Sequence, residues 1–130
     1  MNELYSDKVM AHFRKPKNMG EMKNPSATAT VGNPVCGDVM RMFIKVAKKN
    51  EQEIIDDIKF QTLGCGAALA TSSVTTELAK GKTLAQALKI NAQMIIKELG
   101  GLPTAKRHCS LLAHQALRKV IANYRKTKKV

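Results

Sequence analysis

The first half of the chain shows the period of two expected of strands, and the second half the period near 3.6 expected of helices. Residues 39–47 place Val39, Arg41, Phe43, Lys45 and Ala47 on one side and Met40, Met42, Ile44 and Val46 on the other. That alternation marks a half-buried strand. Residues 54–62 alternate Ile58, Phe60 and Thr62 against Lys59 and Gln61, and the polar KKNEQE link before them suits a hairpin. A shorter piece, 27–31, carries the β-branched Thr28 and Thr30. After Gly64, Ala67, Ala70, Val74 and Leu78 fall on one helical stripe, with Gly81 just past its end, where a left-handed residue costs least. Thr83 is placed to cap a short helix with Leu84, Ala87 and Leu88, and Asn91 another with Ile95, Ile96 and Leu99. Gly100, Gly101 and Pro103 interrupt the pattern. A last helix is predicted over about 105–124, with Leu112, Ala113, Ala116, Val120 and Tyr124 as its apolar stripe. A first helix over 5–13, capped by Ser6 or Asp7, ends before Pro16.

Strands first and helices afterwards predict an α+β fold: a three-stranded antiparallel sheet with helices packed on one face. Neither a repeat nor a low-complexity linker divides the 130 residues, so 1–130 reads as one domain, with the basic tail 125–130 expected to fray. Aromatic residues make up 4% and Trp is absent, so Ala, Leu, Ile and Met must supply most of the packing. No apolar run approaches the ~20 residues of a membrane helix, and the mixed, polar start MNELYSDKVM is not a signal peptide. The default location is therefore the cytoplasm. The net charge of +12 admits an acidic partner or nucleic acid. Sparse aromatics argue against a single-strand stacking platform, and no nucleic-acid motif has these cysteine spacings.

The three cysteines change the picture most. An odd number, far apart in sequence, does not make a disulfide framework. Each falls at a break in the pattern: Cys36 in GNPVCGD between two strands, Cys65 in TLGCGAALA where strand gives way to helix, Cys109 in KRHCSLLA near the start of the last helix. A lone cysteine is most often a small buried hydrophobe, but three at junctions suggest a shared site. Cys36 and Cys65 each precede a glycine, and Cys65 also follows one, which lets backbone approach a bound inorganic group. Cys65 and Cys109 lie near helix N-termini, where free N–H groups favour a thiolate.

Asp38 stands two residues after Cys36, and His108 directly before Cys109. Alone, Asp38 reads as a turn residue and His108 as a helix-start residue. With their cysteines they extend the ligand set. Three thiolates plus one oxygen or nitrogen fill the four positions of a tetrahedral zinc or a two-iron cluster, and five candidates leave one to spare. A spare ligand suits a site that takes in and releases its cargo by exchange. His12 and His114 read as surface or packing residues, the methionines as core, and Ser72 and Ser73 as lacking a positioned histidine or acid. No P-loop, dinucleotide fingerprint or C-x-x-C pair occurs.

With YSDKVMAHF, PKNMG, GNPVCGD, FQTLGCGAALATSS and KRHCSLLA in place, the chain resembles the IscU and NifU N-terminal family of iron–sulfur cluster assembly scaffolds. The resemblance implies a SufE/NifU-like fold and a scaffold, not a turnover enzyme. It implies that Cys36, Cys65 and Cys109 hold a nascent, transient [2Fe-2S] cluster built from Fe²⁺ and sulfur, with Asp38 and His108 as exchangeable or modulating ligands. It implies a cysteine desulfurase that delivers persulfide, with Cys109 the favoured acceptor, and apo iron–sulfur client proteins. An iron donor and an electron donor complete the set. Lys106 matches a lysine of that loop and is expected to pair with Asp38 or a ligand thiolate. Scaffolds of the bacterial chaperone system carry LPPVK before the HC pair. Here Leu102, Pro103 and Lys106 match while Thr104 and Ala105 do not, which leaves an Hsp70-type chaperone partner open. The alternative is a zinc-dependent sulfurtransferase partner of the desulfurase, with Zn²⁺ on the same residues. That branch has an insertion between its second and third cysteines and lacks the histidine; this chain has neither feature.

Overall fold

The computed structural model describes residues 5–33 and 38–128. Its elements are α1 (Asp7–Arg14), β1 (Ala27–Asn33), β2 (Asp38–Lys49), β3 (Gln52–Leu63), α2 (Gly66–Ala79), α3 (Leu84–Ala87), α4 (Ala92–Glu98) and α5 (His108–Lys128), with a 3-10 turn over Thr104–Lys106. The three strands form one antiparallel sheet in the order β1-β2-β3. Met40, Met42 and Ile44 of β2 point to the core, as their alternation requires, and Ile58 and Phe60 of β3 join them. Ile55 is also fully buried, although simple alternation from Ile58 would turn it outward. A bulge explains this. Lys45 faces Asp57 but Val46 faces Ile55, so Asp56 is the extra residue and both isoleucines face inward.

Both sheet edges are covered. On β1, Lys119 Nζ donates to the Thr30 carbonyl at 3.0 Å and Asn123 Nδ2 to that of Thr28 at 2.8 Å, so one face of α5 closes the edge. On β3, the Gly20 N–H donates to the Phe60 carbonyl at 2.8 Å and the Phe60 N–H to that of Asn18 at 3.0 Å.

Helix α2 lies at the centre, against the sheet, α1 and α5. Its side chains are small, and Thr71, Ser72, Ser73, Thr75 and Thr76 are fully buried. All of these hydroxyls except that of Ser73 donate within the helix: Thr71 and Ser72 to the Ala68 carbonyl at 3.1 and 2.7 Å, Thr75 to that of Thr71 at 2.6 Å and Thr76 to that of Ser73 at 2.7 Å. Small, internally bonded side chains let three layers approach one helix closely. Ser6, not Asp7, caps α1, accepting the Val9 N–H at 3.1 Å and donating to the Leu99 carbonyl. Thr83 and Asn91 cap α3 and α4 as expected, and Gly81 follows α2 at φ +83°. No helix among the described residues is long and apolar enough to cross a membrane.

Helix α5 departs from the expectation at both ends. It starts at His108 rather than near Ala105, because the 3-10 turn takes up the preceding residues. It also continues to Lys128, so the expected fraying over 125–128 is not found; 129–130 lie outside the described residues. The final turns are held from two sides: Tyr124 donates to Glu53 Oε2 on β3 at 2.5 Å, and Asn123 Nδ2 to the Thr28 carbonyl on β1 at 2.8 Å.

Candidate metal centre

Three elements end at one place. β2 begins with Asp38, α2 is capped by Cys65, and α5 opens with His108 and Cys109. The Cys109 thiol donates to Asp38 Oδ2 at 3.4 Å, and its sulfur lies 3.4 Å from His108 Nε2. His108 Nε2 is 3.7 Å from Asp38 Oδ2, and the Cys65 and Cys109 sulfurs are 3.9 Å apart. Ligands 2.0–2.3 Å from a tetrahedral ion are separated by about 3.3–3.8 Å, so these groups already stand near coordination spacing. Asp38, His108 and Cys109 offer ligand atoms all within 4.8 Å of one another. Cys36, the remaining sequence-predicted ligand, lies outside the described residues.

Burial within the site is graded. Asp38 and Cys109 are buried, while Cys65 and His108 are half-buried. Burial, then the negative charge of Cys65 and the hydrogen bond to Asp38, push the Cys109 thiol well above its usual range. The helix N-terminus was expected to favour a thiolate there; desolvation opposes it and favours the protonated thiol. Among the described residues Lys106 forms no ion pair with Asp38 and no hydrogen bond to either thiol, but it lies within electrostatic reach of them. The Cys65 thiolate first, then Tyr5, hold its ammonium above the usual range, with smaller contributions from Cys109 and Asp38.

The two glycines around Cys65 serve the protein's own groups. A Cβ on Gly64 would lie 2.3 Å from Asp38 Oδ1, which accepts the Cys65 N–H at 3.3 Å. A Cβ on Gly66 would lie 2.9 Å from the Phe13 ring. Neither glycine has a positive φ, so space is what each provides. Gly64 thus allows a buried carboxylate to cross from β2 and reach the start of α2.

One pairing went unseen in the sequence. His12 Nδ1 lies 2.7 Å from Ser73 Oγ and His12 Nε2 3.3 Å from Glu77 Oε1, so Ser73 does have a histidine and an acid nearby. Ser73 is fully buried and also accepts the Lys17 N–H at 2.7 Å, so the group ties the segment after α1 to α2. The i, i+4 spacing of Ser73 and Glu77 is readable on a helix face; their histidine, 61 residues away, is not. His114 packs as expected, its Nδ1 2.8 Å from the Ile90 carbonyl.

Comparison with known proteins shows the family. Residues 4–130 match the NifU-like N terminal domain. Over 121 residues the chain is 55% identical to "Iron-sulfur cluster assembly scaffold protein IscU 1" of Archaeoglobus fulgidus, covering 93% of this chain and 76% of that protein. It is 48% identical over 127 residues to the protein of Azotobacter vinelandii named "Iron-sulfur cluster assembly scaffold protein IscU", covering 95% and 96%. The solved N-terminal part of a nitrogen-fixing NifU-like protein from Brucella abortus shares the fold, with TM-score 0.71 over 96% of each chain at 19% identity. A match along nearly the whole chain, on a sheet-and-helix frame that gathers Asp38, Cys65, His108 and Cys109, makes this chain a member of the NifU-like N-terminal domain family.

Proposed function

We propose that this chain is a scaffold on which iron–sulfur clusters are assembled and from which they are handed on. The observation that carries the reading is the convergence of Cys65, Cys109, His108 and Asp38 at near-coordination spacing, one thiol half-exposed and the other buried. Cys36, Cys65 and Cys109 are the proposed cluster ligands, and Asp38 and His108 the exchangeable ones. Oxygen and imidazole ligands hold iron less firmly than thiolate in such a site, so they ease release. Fe²⁺ and the [2Fe-2S] product are cargo. Zn²⁺ fits the same donors and would be displaced during assembly.

Sulfur enters as persulfide from a cysteine desulfurase. Cys109 is the proposed acceptor, and its surroundings set a condition. The buried thiol must first lose its proton, to solvent on metal binding or to His108 Nε2 at 3.4 Å. The thiolate then attacks the terminal persulfide sulfur, that S–S bond breaks, and the desulfurase cysteine leaves as thiolate. Reduction of the transferred sulfur to sulfide takes two electrons from an external donor. Lys106, beside Cys65, offsets the negative charge that accumulates. Free thiols of this kind suit a reducing compartment such as the cytoplasm, and client apo-proteins take the product by thiolate exchange.

Anaerobic incubation with a cysteine desulfurase, cysteine, a thiol reductant and Fe²⁺ tests the proposal. The expected result is the visible absorption of a cysteine-ligated [2Fe-2S] cluster, lost on replacing Cys36, Cys65 or Cys109 by Ala while the fold persists by circular dichroism. No cluster absorption from the unaltered chain would overturn it.

A further inference from the structure

The charge of +12 is unevenly placed. From Leu99 onward the sequence holds no Asp or Glu, while Lys and Arg recur throughout. Exposed helices ordinarily pair bases with acids three or four residues away, and α5 has no acid to offer. Bases in a last turn complement the helix dipole, but Arg118 stands in mid-helix. Lys119 is occupied with the Thr30 carbonyl. Arg118, Arg125 and Lys126 are exposed and form no ion pair with any described residue.

These bases border a shallow groove of about 640 Å³ between α5 and the end of α3. Leu88 and Ala122 supply its accessible apolar floor above the buried Ile121, and Arg118, Arg125 and Lys126 its cationic rim, two helical turns or about 12 Å long. The combination separates partner classes. A phosphate backbone gains nothing from Leu88 and Ala122, and no lining residue is aromatic, so no base can stack there. An apolar strip flanked by carboxylates satisfies both parts at once.

We propose that this groove receives an acidic amphipathic helix of a partner protein, apolar face on Leu88 and Ala122, carboxylates on the arginines and lysine. The groove begins at Gln115, six residues or about 9 Å of helix rise beyond Cys109. The same helix carries both surfaces.

The test is an NMR titration of the ¹⁵N-labelled full chain at about 0.15 M salt. The probe is a synthetic 16-residue peptide with Leu at helical i, i+3 and i+7 positions and Glu on both flanks. Its controls are a scrambled peptide of the same composition and a short DNA duplex. Saturable shifts centred on Leu88, Gln115, Ile121 and Ala122 are expected, with at least tenfold weaker binding of the scramble. The double variant Arg118→Glu/Arg125→Glu should bind the peptide at least tenfold more weakly. Ala122→Glu, an exposed floor position, should do the same without touching the rim. Equal binding of peptide and scramble, unchanged affinity in both variants, shifts centred elsewhere, or tighter binding of the duplex would each overturn the proposal.

Discussion

Replacing Gly64 by Ala tests whether Asp38 is held where the site needs it. The new methyl would sit 2.3 Å from Asp38 Oδ1 and 2.8 Å from its Cγ. Its third neighbour, the Ala68 Cβ at 3.2 Å, is only tight. The carboxylate would have to retreat by roughly 1 Å to reach an ordinary contact. Asp38 is only 3% exposed, and its oxygens are bonded to the Cys65 N–H at 3.3 Å and the Cys109 thiol at 3.4 Å. A shift of that size breaks one bond or both. Overpacking of this kind costs about 1–3 kcal/mol. Backbone strain adds nothing, since Gly64 has no positive φ. The test is a double-mutant cycle on the metal-free chain, read by urea unfolding. Gly64→Ala alone should cost about 1–3 kcal/mol, whereas in an Asp38→Ala background, where the clashing atoms are gone, it should cost under about 1 kcal/mol. An equal cost in both backgrounds would refute the claim that Gly64 exists to admit the Asp38 carboxylate.

The metal-free thiols give a second check, because the Cys65 and Cys109 sulfurs are 3.9 Å apart. Diamide, which takes up two electrons and the two thiol protons, should close a Cys65–Cys109 disulfide first. Trypsin places each cysteine on its own peptide, so mass spectrometry reads the pairing directly; predominance of a Cys36 pairing would count against the geometry. Replacing Ser73 by Ala strips partners from the Lys17 N–H and His12 and should cost about 1–3 kcal/mol, while cluster assembly survives. Loss of assembly in a folded Ser73→Ala protein would give that group a chemical role. The hydrogen bond to Glu53, with burial, pushes Tyr124 up to about 12. Its neutral form is favoured in the folded state, so its contribution to stability is full below about pH 10, the ordinary tyrosine value, and is lost as pH rises towards 12. Ultraviolet titration should show one tyrosine ionising near pH 12, absent in Tyr124→Phe; no such late step would contradict the Tyr124–Glu53 bond.

The layer order was legible because Met40, Met42 and Ile44 of β2 fall on one face and the caps Thr83 and Asn91 announce α3 and α4. The bulge at Lys45 and Val46 was not, since an inserted residue changes pairing without changing composition. Tyr124 and Asn123 keep the end of α5 helical through contacts with β3 and β1, which a local reading of RKTKKV cannot contain. The site was readable at Asp38, Cys65, His108 and Cys109 because each sits at an element boundary, where side chains from distant segments can meet. What the glycines around Cys65 make room for was not readable. That depended on where Asp38 and Phe13 fall in three dimensions. The same holds for Cys109, whose position at a helix start argued for a thiolate until its burial was known.

The proposed site binds its cluster only for a time, and handover measures that most directly. The chain, loaded with a [2Fe-2S] cluster, is mixed anaerobically with an apo-ferredoxin in the presence of a strong chelator of free iron. Circular dichroism in the visible range follows the cluster from one protein to the other. Near-complete transfer that the chelator does not intercept is expected, with slower transfer from Asp38→Ala. A cluster that stays on the chain, or reaches the ferredoxin only as iron the chelator captures, would contradict the proposal.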